Sequence, residues 1–361
     1  MSFSCGIIGL PNVGKSTIFN ALAAAGAEMA NYPFCTIEPN RGVVPVPDSR
    51  LDRIAELLKK EDPIPTRISF IDIAGLVRGA SKGEGLGNKF LSHIRSVDAV
   101  AHTVRCFHSE DVAHVTGDVD PVRDVEIVKT EILISDIEIL DRACEKLKKK
   151  ASAGDRAAKT QLVLIERCRT HLNEGGSLHQ LDLAPDERSL VGEYGLISVK
   201  PVLYVANVDE GGGHEDEVNT LADYAAREDS RLITVAGKLE EEISELEPDE
   251  KQEYLRAMGL RESGLRRLIT ESYRLLDLIS YYTAATQLQA WTLRRGETAL
   301  AAAGKIHTDF EHGFIRAEVY GYEDLVEAGS EHGVRDHGKL RLEGRDYVVG
   351  DGDIIRFLFN V

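Results

Sequence analysis

The feature that most constrains this chain is a glycine-rich turn that directly follows a short apolar run near the N-terminus. The apolar run is residues 5–8, and the turn is GLPNVGKST, residues 9–17. Its spacing, Gly-x4-Gly-Lys-Ser, is that of a P-loop, in which glycines let backbone N–H groups point at phosphate oxygens. Residues 17–23 predict a helix, whose N-terminus favours anions. The chain is therefore expected to bind a phosphorylated ligand, with a strand before the loop and a helix after it.

Two further segments complete the predicted phosphate site. Lys15 supplies a positive charge for the β- and γ-phosphates, and the Ser16 hydroxyl can coordinate Mg²⁺. Residues 72–75 form a D-x-x-G after an apolar strand, in which Asp72 can hold Mg²⁺ through its water shell and the Gly75 N–H can contact a γ-phosphate. In the connecting loop, Thr36 is expected to supply a second hydroxyl to Mg²⁺. The pattern indicates a nucleoside triphosphate as the ligand.

The group that orients an attacking water is less evident. Gly75 is followed by Leu76, where Ras-like GTPases have a Gln, and a Leu side chain cannot hydrogen-bond water. Hydrolysis must then use another group, or stay slow until a partner supplies one. The local histidines are His93, His102, His108 and His114. His114 is the preferred catalytic candidate, and a purely structural histidine is the alternative.

The base-reading segment departs from the pattern of GTP-binding proteins. Those proteins carry N/T-K-x-D after a strand, whereas here Asn207 is kept, Val208 replaces the Lys and Glu210 replaces the Asp. A longer Glu moves the carboxylate by about one methylene, which a two-bond contact with guanine tolerates poorly. An Asn side chain matches the adenine edge with two bonds. The segment favours ATP, while Asp209 leaves guanine recognition open.

Alternating apolar strands and helical patterns predict an α/β fold with a mostly parallel sheet. In residues 126–190 the pattern changes to apolar residues at helical spacing, followed by a turn and a second, returning helix. This pattern predicts a helical hairpin inserted in this domain. Residues 265–279 predict a helix. The last part of the chain has short strands, residues 347–349 among them, and no cluster of catalytic type, so a binding role is expected for it. The hairpin is rich in basic residues, which are Arg142, Lys146, Lys148, Lys149, Lys150, Arg156, Lys159, Arg167 and Arg169. They form either a solvated surface of mixed charge or a local face for RNA.

Composition limits the binding partners and the cellular compartment that are expected. The 361 residues carry a formal net charge of −17, which argues against wholesale coating of nucleic acid or an anionic membrane. The five cysteines lack paired metal spacing and suggest reduced thiols in the cytoplasm. Neither a signal peptide nor a membrane span is expected.

The chain resembles the YchF/Obg-like ATPases, a branch of the translation-associated P-loop GTPases within the TRAFAC superfamily. The similarity runs through nearly the whole sequence in order. Its segments are residues 9–22, 31–40, 72–91, 105–107, 114–126, 207–210 and 307–319.

The resemblance implies a Ras-like G domain at residues 1–127 and 199–277, a coiled-coil insertion at 128–198 and a β-grasp-like TGS domain at 278–361. It implies ATP preferred over GTP, Mg²⁺ on Ser16 and Thr36, and association with ribosomes through the arm and the TGS domain. A monomer is expected, and a role for K⁺ is left open. Its implied nucleotide contacts are Asn12, Val13, Gly14, Lys15, Ser16 and Thr17 on the phosphates, and Asn207, Val208, Glu210 and the Ala236 backbone N–H around the base.

Three functions remain in competition. The first is a Mg²⁺-dependent ATPase switch that hydrolyses slowly and signals its nucleotide state to a ribosome or RNA partner. The second is a GTPase that reads guanine with Asp209 or Glu210. The third is a nucleotide-gated RNA- or ribosome-binding protein in which hydrolysis is incidental.

Overall fold

The computed structural model describes residues 3–24, 40–75, 86–109, 117–210 and 214–360. The strands are β1 (Ser4–Ile8), β2 (Arg41–Pro45), β3 (Arg67–Asp72), β4 (Ala99–Arg105), β5 (Val202–Asn207), β6 (Arg231–Val235), β7 (Leu278–Thr283), β8 (Gln289–Arg294), β9 (Phe314–Gly321), β10 (Arg341–Glu343) and β11 (Asp353–Phe359). The helices are α1 (Lys15–Ala24), α2 (Ser49–Leu58), α3 (Leu86–Ser96), α4 (Pro121–Ser152), α5 (Arg156–Asn173), α6 (Pro185–Gly192), α7 (Glu215–Arg227), α8 (Gly237–Ser244), α9 (Pro248–Ala257), α10 (Gly264–Leu275), α11 (Ala299–Ile306), α12 (Thr308–His312), α13 (Tyr322–Ala328) and α14 (Glu331–Asp336).

The first sheet has six strands in the order β2-β3-β1-β4-β5-β6. Strand β1 pairs in parallel with β3 and β4, and the parallel pairing continues from β4 to β5 and from β5 to β6. The carboxyl ends of these strands therefore meet at one edge, which is where ligands bind in open α/β sheets. The predicted α/β fold is confirmed. Within the described residues, no helix is both long and apolar enough to cross a bilayer.

The predicted helical hairpin is formed by α4 and α5. Helix α4 is 32 residues long and starts on the sheet, because its Val125 and Val128 lie in the sheet's hydrophobic cores. Its later turns pack against α5 through a separate core that contains Leu140 and Cys168. Asp155 begins the returning helix by accepting a hydrogen bond from the Ala158 N–H at 3.1 Å.

One buried carboxylate fixes the chain that returns from the hairpin. Asp136 of α4 is fully buried, and its Oδ1 accepts a hydrogen bond from the Ile197 N–H at 3.1 Å. Its Oδ2 accepts from the N–H and the hydroxyl of Ser198, each at 2.7 Å. Burial raises the pKa of this carboxyl, while the bonds from Ser198 and Ile197 oppose that shift. Asp136 thus holds the segment that leads into β5.

The contacts divide the chain into two compact units, Met1–Val44 with Ser69–Leu268, and Pro45–Ile68 with Ile269–Val361. The G domain that the resemblance implies at residues 1–127 includes residues 45–68, whereas in the structure these residues belong to the second compact unit. The reason is the apolar stripe of α2, whose Leu51 and Ile54 share a core with Tyr282. Asp48 caps this helix and also accepts a hydrogen bond from the Tyr282 hydroxyl.

The second unit contains a mixed five-stranded sheet in the order β10-β9-β11-β7-β8, with β7 and β11 parallel and the other pairs antiparallel. The sequence pattern predicts one helix over 265–279, but α10 ends at Leu275 and β7 begins at Leu278. Asp277 adopts a left-handed conformation, φ 51°, which separates the two elements. Residues 347–349 are not a strand, and Val348 makes only an isolated bridge to Thr298.

Candidate nucleotide-binding site

An open cleft of about 1020 Å³ lies at the carboxyl edge of the first sheet. Its walls come from five segments of the first unit, which are residues 10–17, residues 72–75, residues 107–109, residues 207–209 and the first turns of α8. The predicted P-loop and D-x-x-G therefore face the same space. This placement follows from the parallel sheet, in which β1, β3, β4 and β5 all end at this edge.

The P-loop has the tight backbone that its sequence predicts. Asn12 and Gly14 both have positive φ, at 64° and 82°. A Cβ on Gly14 would lie 2.1 Å from Nδ2 of Asn207, so only glycine fits here. Helix α1 starts at Lys15, and the Ile18 N–H bonds the Gly14 carbonyl at 3.1 Å. The N-terminus of a helix thus opens into the cleft.

At the phosphate end, Lys15 forms an ion pair with Asp72. Lys15 is 8% exposed, and a buried ammonium needs a counter-charge because water no longer solvates it. Ser16 and Thr17 line the same cleft. Gly75 lies against the P-loop, since a Cβ there would be 3.3 Å from the Pro11 nitrogen. The structure brings Lys15, Asp72 and these predicted neighbours together.

At the other end, both polar groups of the Asn207 side chain are already engaged. Asn207 is 4% exposed, its Nδ2 donates to the Val13 carbonyl at 2.8 Å, and its Oδ1 accepts from the Gly237 N–H at 3.0 Å. The side chain therefore fixes the P-loop to the start of α8. A contact with a base would use the second hydrogen and second lone pair of the same amide. Base reading by Asn207 stays a prediction.

The neighbouring base-site candidates separate into two groups. Val208 and Asp209 line the cleft, and the Val208 N–H bonds the Val235 carbonyl at 3.0 Å. Asp209 Oδ2 accepts a hydrogen bond from Nε2 of His214 at 2.9 Å. Glu210 is exposed and does not line the cleft, so this geometry does not support its predicted contact with a base. Ala236 directly precedes α8, and its predicted backbone contact is likewise untested.

The candidates for orienting water differ in their placement. His114, the preferred candidate, lies outside the described residues, as do Leu76 and the predicted Mg²⁺ ligand Thr36. His102 lies inside β4, where burial lowers its pKa to about 4 and its ring meets that of Tyr204 at a centroid distance of 5.8 Å. It is a neutral core residue. His108 does line the cleft.

Sequence reasoning named His108 only as one of four local histidines and did not predict that residues 107–109 form a wall of the cleft. Arg105 at the end of β4 holds this wall, because its guanidinium lies 4.4 Å from the Phe107 ring centroid and its Nε donates to the Phe107 carbonyl at 3.0 Å. The sequence did contain a signal for this wall. Because β4 lies between β1 and β5 in the parallel sheet, the residues that follow β4 are expected at the same edge as the P-loop. Lys238 and Glu241 of α8 also line the cleft.

Two protein-family models match the chain. The model described as 50S ribosome-binding GTPase matches residues 4–135, which include the P-loop and the D-x-x-G. The model YchF-GTPase_C, described as a protein of unknown function, matches residues 278–360, most of the second unit.

Curated relatives match this chain over its whole length. The chain is 48% identical to the Ribosome-binding ATPase YchF of Escherichia coli O157:H7 and 47% identical to that of Bacillus subtilis, with 100% of each chain covered. Among solved structures, the YchF GTPase of Schizosaccharomyces pombe superposes with a TM-score of 0.88 at 35% identity, over 99% of this chain and 98% of that one.

Proposed function

Because this chain belongs to the YchF family of P-loop proteins, we propose that it is a Mg²⁺-dependent ATPase that works as a nucleotide switch on the ribosome. The observation that carries the proposal is the cleft in which Lys15, Ser16, Asp72 and Gly75 meet. Phosphoryl transfer needs mainly positioning and charge stabilisation, and these residue types supply both. The bacterial relatives are named ribosome-binding ATPases.

At the phosphate end, Lys15 contacts the β- and γ-phosphates and Gly75 offers its N–H to the γ-phosphate. Bound Mg²⁺ would neutralise phosphate charge, held by the hydroxyls of Ser16 and Thr36, with Asp72 acting through a water. Hard oxygen donors of this kind fit Mg²⁺. The Lys15–Asp72 ion pair means that nucleotide binding exchanges partners, the ammonium turning to phosphate. His114 is proposed to orient water, and a role for K⁺ is left open.

The assay for hydrolysis is phosphate release with Mg²⁺ and ATP. We expect a slow rate in the wild type and none in Lys15→Ala, because the variant loses the cation that contacts the phosphates. Lys146→Ala, at an exposed lysine of α4, is the matched control and should keep the wild-type rate. An unchanged rate in Lys15→Ala would remove the P-loop from the reaction.

For the base, we propose ATP over GTP, with Asn207, Val208 and Glu210 around the ring and the Ala236 N–H beside it. The alternative is guanine recognition by Asp209, which lines the cleft near Asn207. The Schizosaccharomyces pombe relative is named a GTPase, so the two readings need a direct comparison. Calorimetric titration with ATP and with GTP, on wild type and Asp209→Asn, separates them. A GTP preference that Asp209→Asn abolishes would overturn the adenine proposal.

The proposed partner is the ribosome or its RNA, contacted by the arm at residues 128–198 and the C-terminal domain at 278–361 of a cytoplasmic monomer. Part of the arm's positive charge is neutralised by acidic residues of the arm itself, since Lys148 pairs with Glu166 and Arg169 with Asp141. Arginine and lysine residues such as Lys149 and Lys150 at the end of α4 are exposed. Exposed cations of this kind suit contact with phosphate backbones.

Cosedimentation with ribosomes, with ATP, ADP or no nucleotide, tests the partner. Retention that depends on ATP and falls in Lys149→Glu/Lys150→Glu supports a switch acting through the arm. The same ATP-dependent retention in a variant that binds but does not hydrolyse ATP would favour the nucleotide-gated binding protein instead. Absence of cosedimentation in every nucleotide state would remove the ribosome from the proposal.

A further inference from the structure

Beside the base end of the cleft, two histidines and a glutamate meet from separate parts of the chain. One ring nitrogen of His108, one of His214 and a carboxylate oxygen of Glu217 all lie within 4.8 Å of one another. His108 follows β4, His214 immediately precedes α7, and Glu217 lies in the first turn of that helix. The tertiary fold, rather than a short sequence motif, therefore assembles the group.

The spacing of these side chains suits metal ligands. Nε2 of His108 lies 2.9 Å from Oε1 of Glu217, and the rings of His108 and His214 are 5.3 Å apart between centroids. With bonds of about 2.0–2.2 Å in a tetrahedral zinc site, neighbouring ligand atoms are roughly 3.4 Å apart. The side chain of His108 is 60% exposed, so it has room to rotate and adjust these distances.

The second observation concerns the other nitrogen of His214. Its Nε2 lies 2.9 Å from Oδ2 of Asp209, and because a carboxylate only accepts, Nε2 carries the hydrogen. In the neutral ring, Nδ1 is then the nitrogen with a free lone pair. It is buried, on a residue 9% exposed, and has no hydrogen-bond partner among the residues that the structure describes. A lone pair buried without a partner is costly unless something binds it.

The Asp209–His214 pair is also the support that metal-binding histidines usually have. A ligating imidazole commonly donates its other N–H to a carboxylate, which fixes the tautomer and the ring orientation. Here Asp209 supplies that carboxylate. The group thus offers three candidate ligands and one supporting carboxylate.

We propose that His108, His214 and Glu217 form a binding site for Zn²⁺, with Asp209 orienting His214 and the fourth position open to solvent. Two imidazoles and one carboxylate suit Zn²⁺, whereas Mg²⁺ prefers oxygen ligands and belongs at the phosphate end. The exposed ring of His108 gives the ion a path from solvent. The bound ion would tie the segment after β4 to the start of α7.

This site adjoins the candidate nucleotide cleft, because His108 and Asp209 are both part of its wall. Zn²⁺ would hold Asp209 beside Asn207, so metal and nucleotide should change each other's affinity by the same factor. That coupling rests on the proposed nucleotide function. Metal binding does not, and it is measured without nucleotide.

The experiment is a titration of the metal-free, full-length protein with Zn²⁺ against a chromophoric chelator. We expect one equivalent with a micromolar or tighter Kd, weakened at least tenfold in His108→Gln and in His214→Gln. His332→Gln is the control, because this histidine is 86% exposed and lies in the second unit. His108→Gln is decisive, since an exposed residue can be changed without unfolding the protein.

Co²⁺ provides a second readout. Bound in place of Zn²⁺, it should give the intense visible absorption of a tetrahedral site in the wild type and lose it in His108→Gln. Asp209→Asn should keep the three ligands but weaken Zn²⁺ binding about 10–100-fold, as expected for a positioning residue. Zn²⁺ affinity that is equal in wild type and His108→Gln, or absent from both, would overturn the proposal and leave His108 and Glu217 as a hydrogen-bonded pair.

Discussion

The side-chain nitrogen of Asn207 donates a hydrogen bond to the backbone carbonyl of Val13 over 2.8 Å, although the two residues are 194 positions apart in the chain. The same side chain accepts a hydrogen bond from the Gly237 N–H. One amide therefore connects the P-loop, the end of β5 and the start of α8. The shape of the phosphate-binding loop depends on a residue that belongs to the base end of the cleft.

Replacing this amide should disturb the phosphate end. In Asn207→Asp, one carboxylate oxygen can still accept from Gly237, but the other faces the Val13 carbonyl, and two acceptors repel. We expect the free energy of unfolding to fall by about 2 kcal/mol and nucleotide affinity to fall at least tenfold. Denaturant unfolding and calorimetry measure the two effects. Wild-type affinity in this variant would mean that the P-loop holds its shape alone.

A methyl group on Gly14 should have a related effect. The Cβ would collide with Nδ2 of Asn207 at 2.1 Å, and the φ of 82° is unfavourable for alanine. Gly14→Ala should therefore lose nucleotide binding by more than tenfold in calorimetry. Gly192→Ala is the matched control, because a Cβ there meets nothing within 4 Å. Equal nucleotide affinities in the two variants would contradict the steric argument.

The sequence was sufficient for features that depend on local pattern. The P-loop, the D-x-x-G and the alternation of strands and helices are each encoded within short windows. The fold confirms the alternation and places both motifs at the same cleft. The reading of 265–279 as one helix was wrong, because apolar residues continue from α10 into β7 without a change that periodicity detects. Asp277, in its left-handed conformation, marks the break only once the backbone is known.

Long-range contacts were beyond the sequence for a different reason. Nothing near α2 indicates that its Leu51 and Ile54 share a core with Tyr282. In the same way, the pairing of Asn207 with Val13 and the meeting of His108 with Glu217 depend on which strand ends are neighbours. Such contacts follow from tertiary structure, which local propensity does not contain.

A third prediction concerns Asp136, the anchor that fixes the chain returning from the helical hairpin. Asp136→Ala leaves the N–H groups of Ile197 and Ser198 without their buried acceptor, so the free energy of unfolding should fall by about 3 kcal/mol. Asp141→Ala, on the same helix, removes only an exposed ion pair with Arg169 and should cost less than about 1 kcal/mol. Chemical denaturation compares them. Equal losses would show that Asp136 is not the anchor.

The last prediction concerns acid stability and His102. Its pKa is lowered to about 4 in the folded protein by burial, against an ordinary value of 6.5. Between these two pH values the unfolded chain takes up a proton that the folded chain refuses. The free energy of unfolding therefore decreases as the pH falls through this window, by at most about 1.4 kcal/mol per pH unit from this group.

His102→Gln removes the group that takes up this proton on unfolding, while keeping a neutral polar side chain of similar size. From pH 7 to pH 5, the wild type should lose about 2 kcal/mol more stability than His102→Gln. Carboxyl groups such as Asp136, whose pKa burial raises, act in the opposite direction, but they are common to both proteins and cancel in the difference. His332→Gln, at an exposed histidine, should follow the wild type. Parallel stability curves for wild type and His102→Gln would mean that His102 can take up a proton without leaving the core of the sheet.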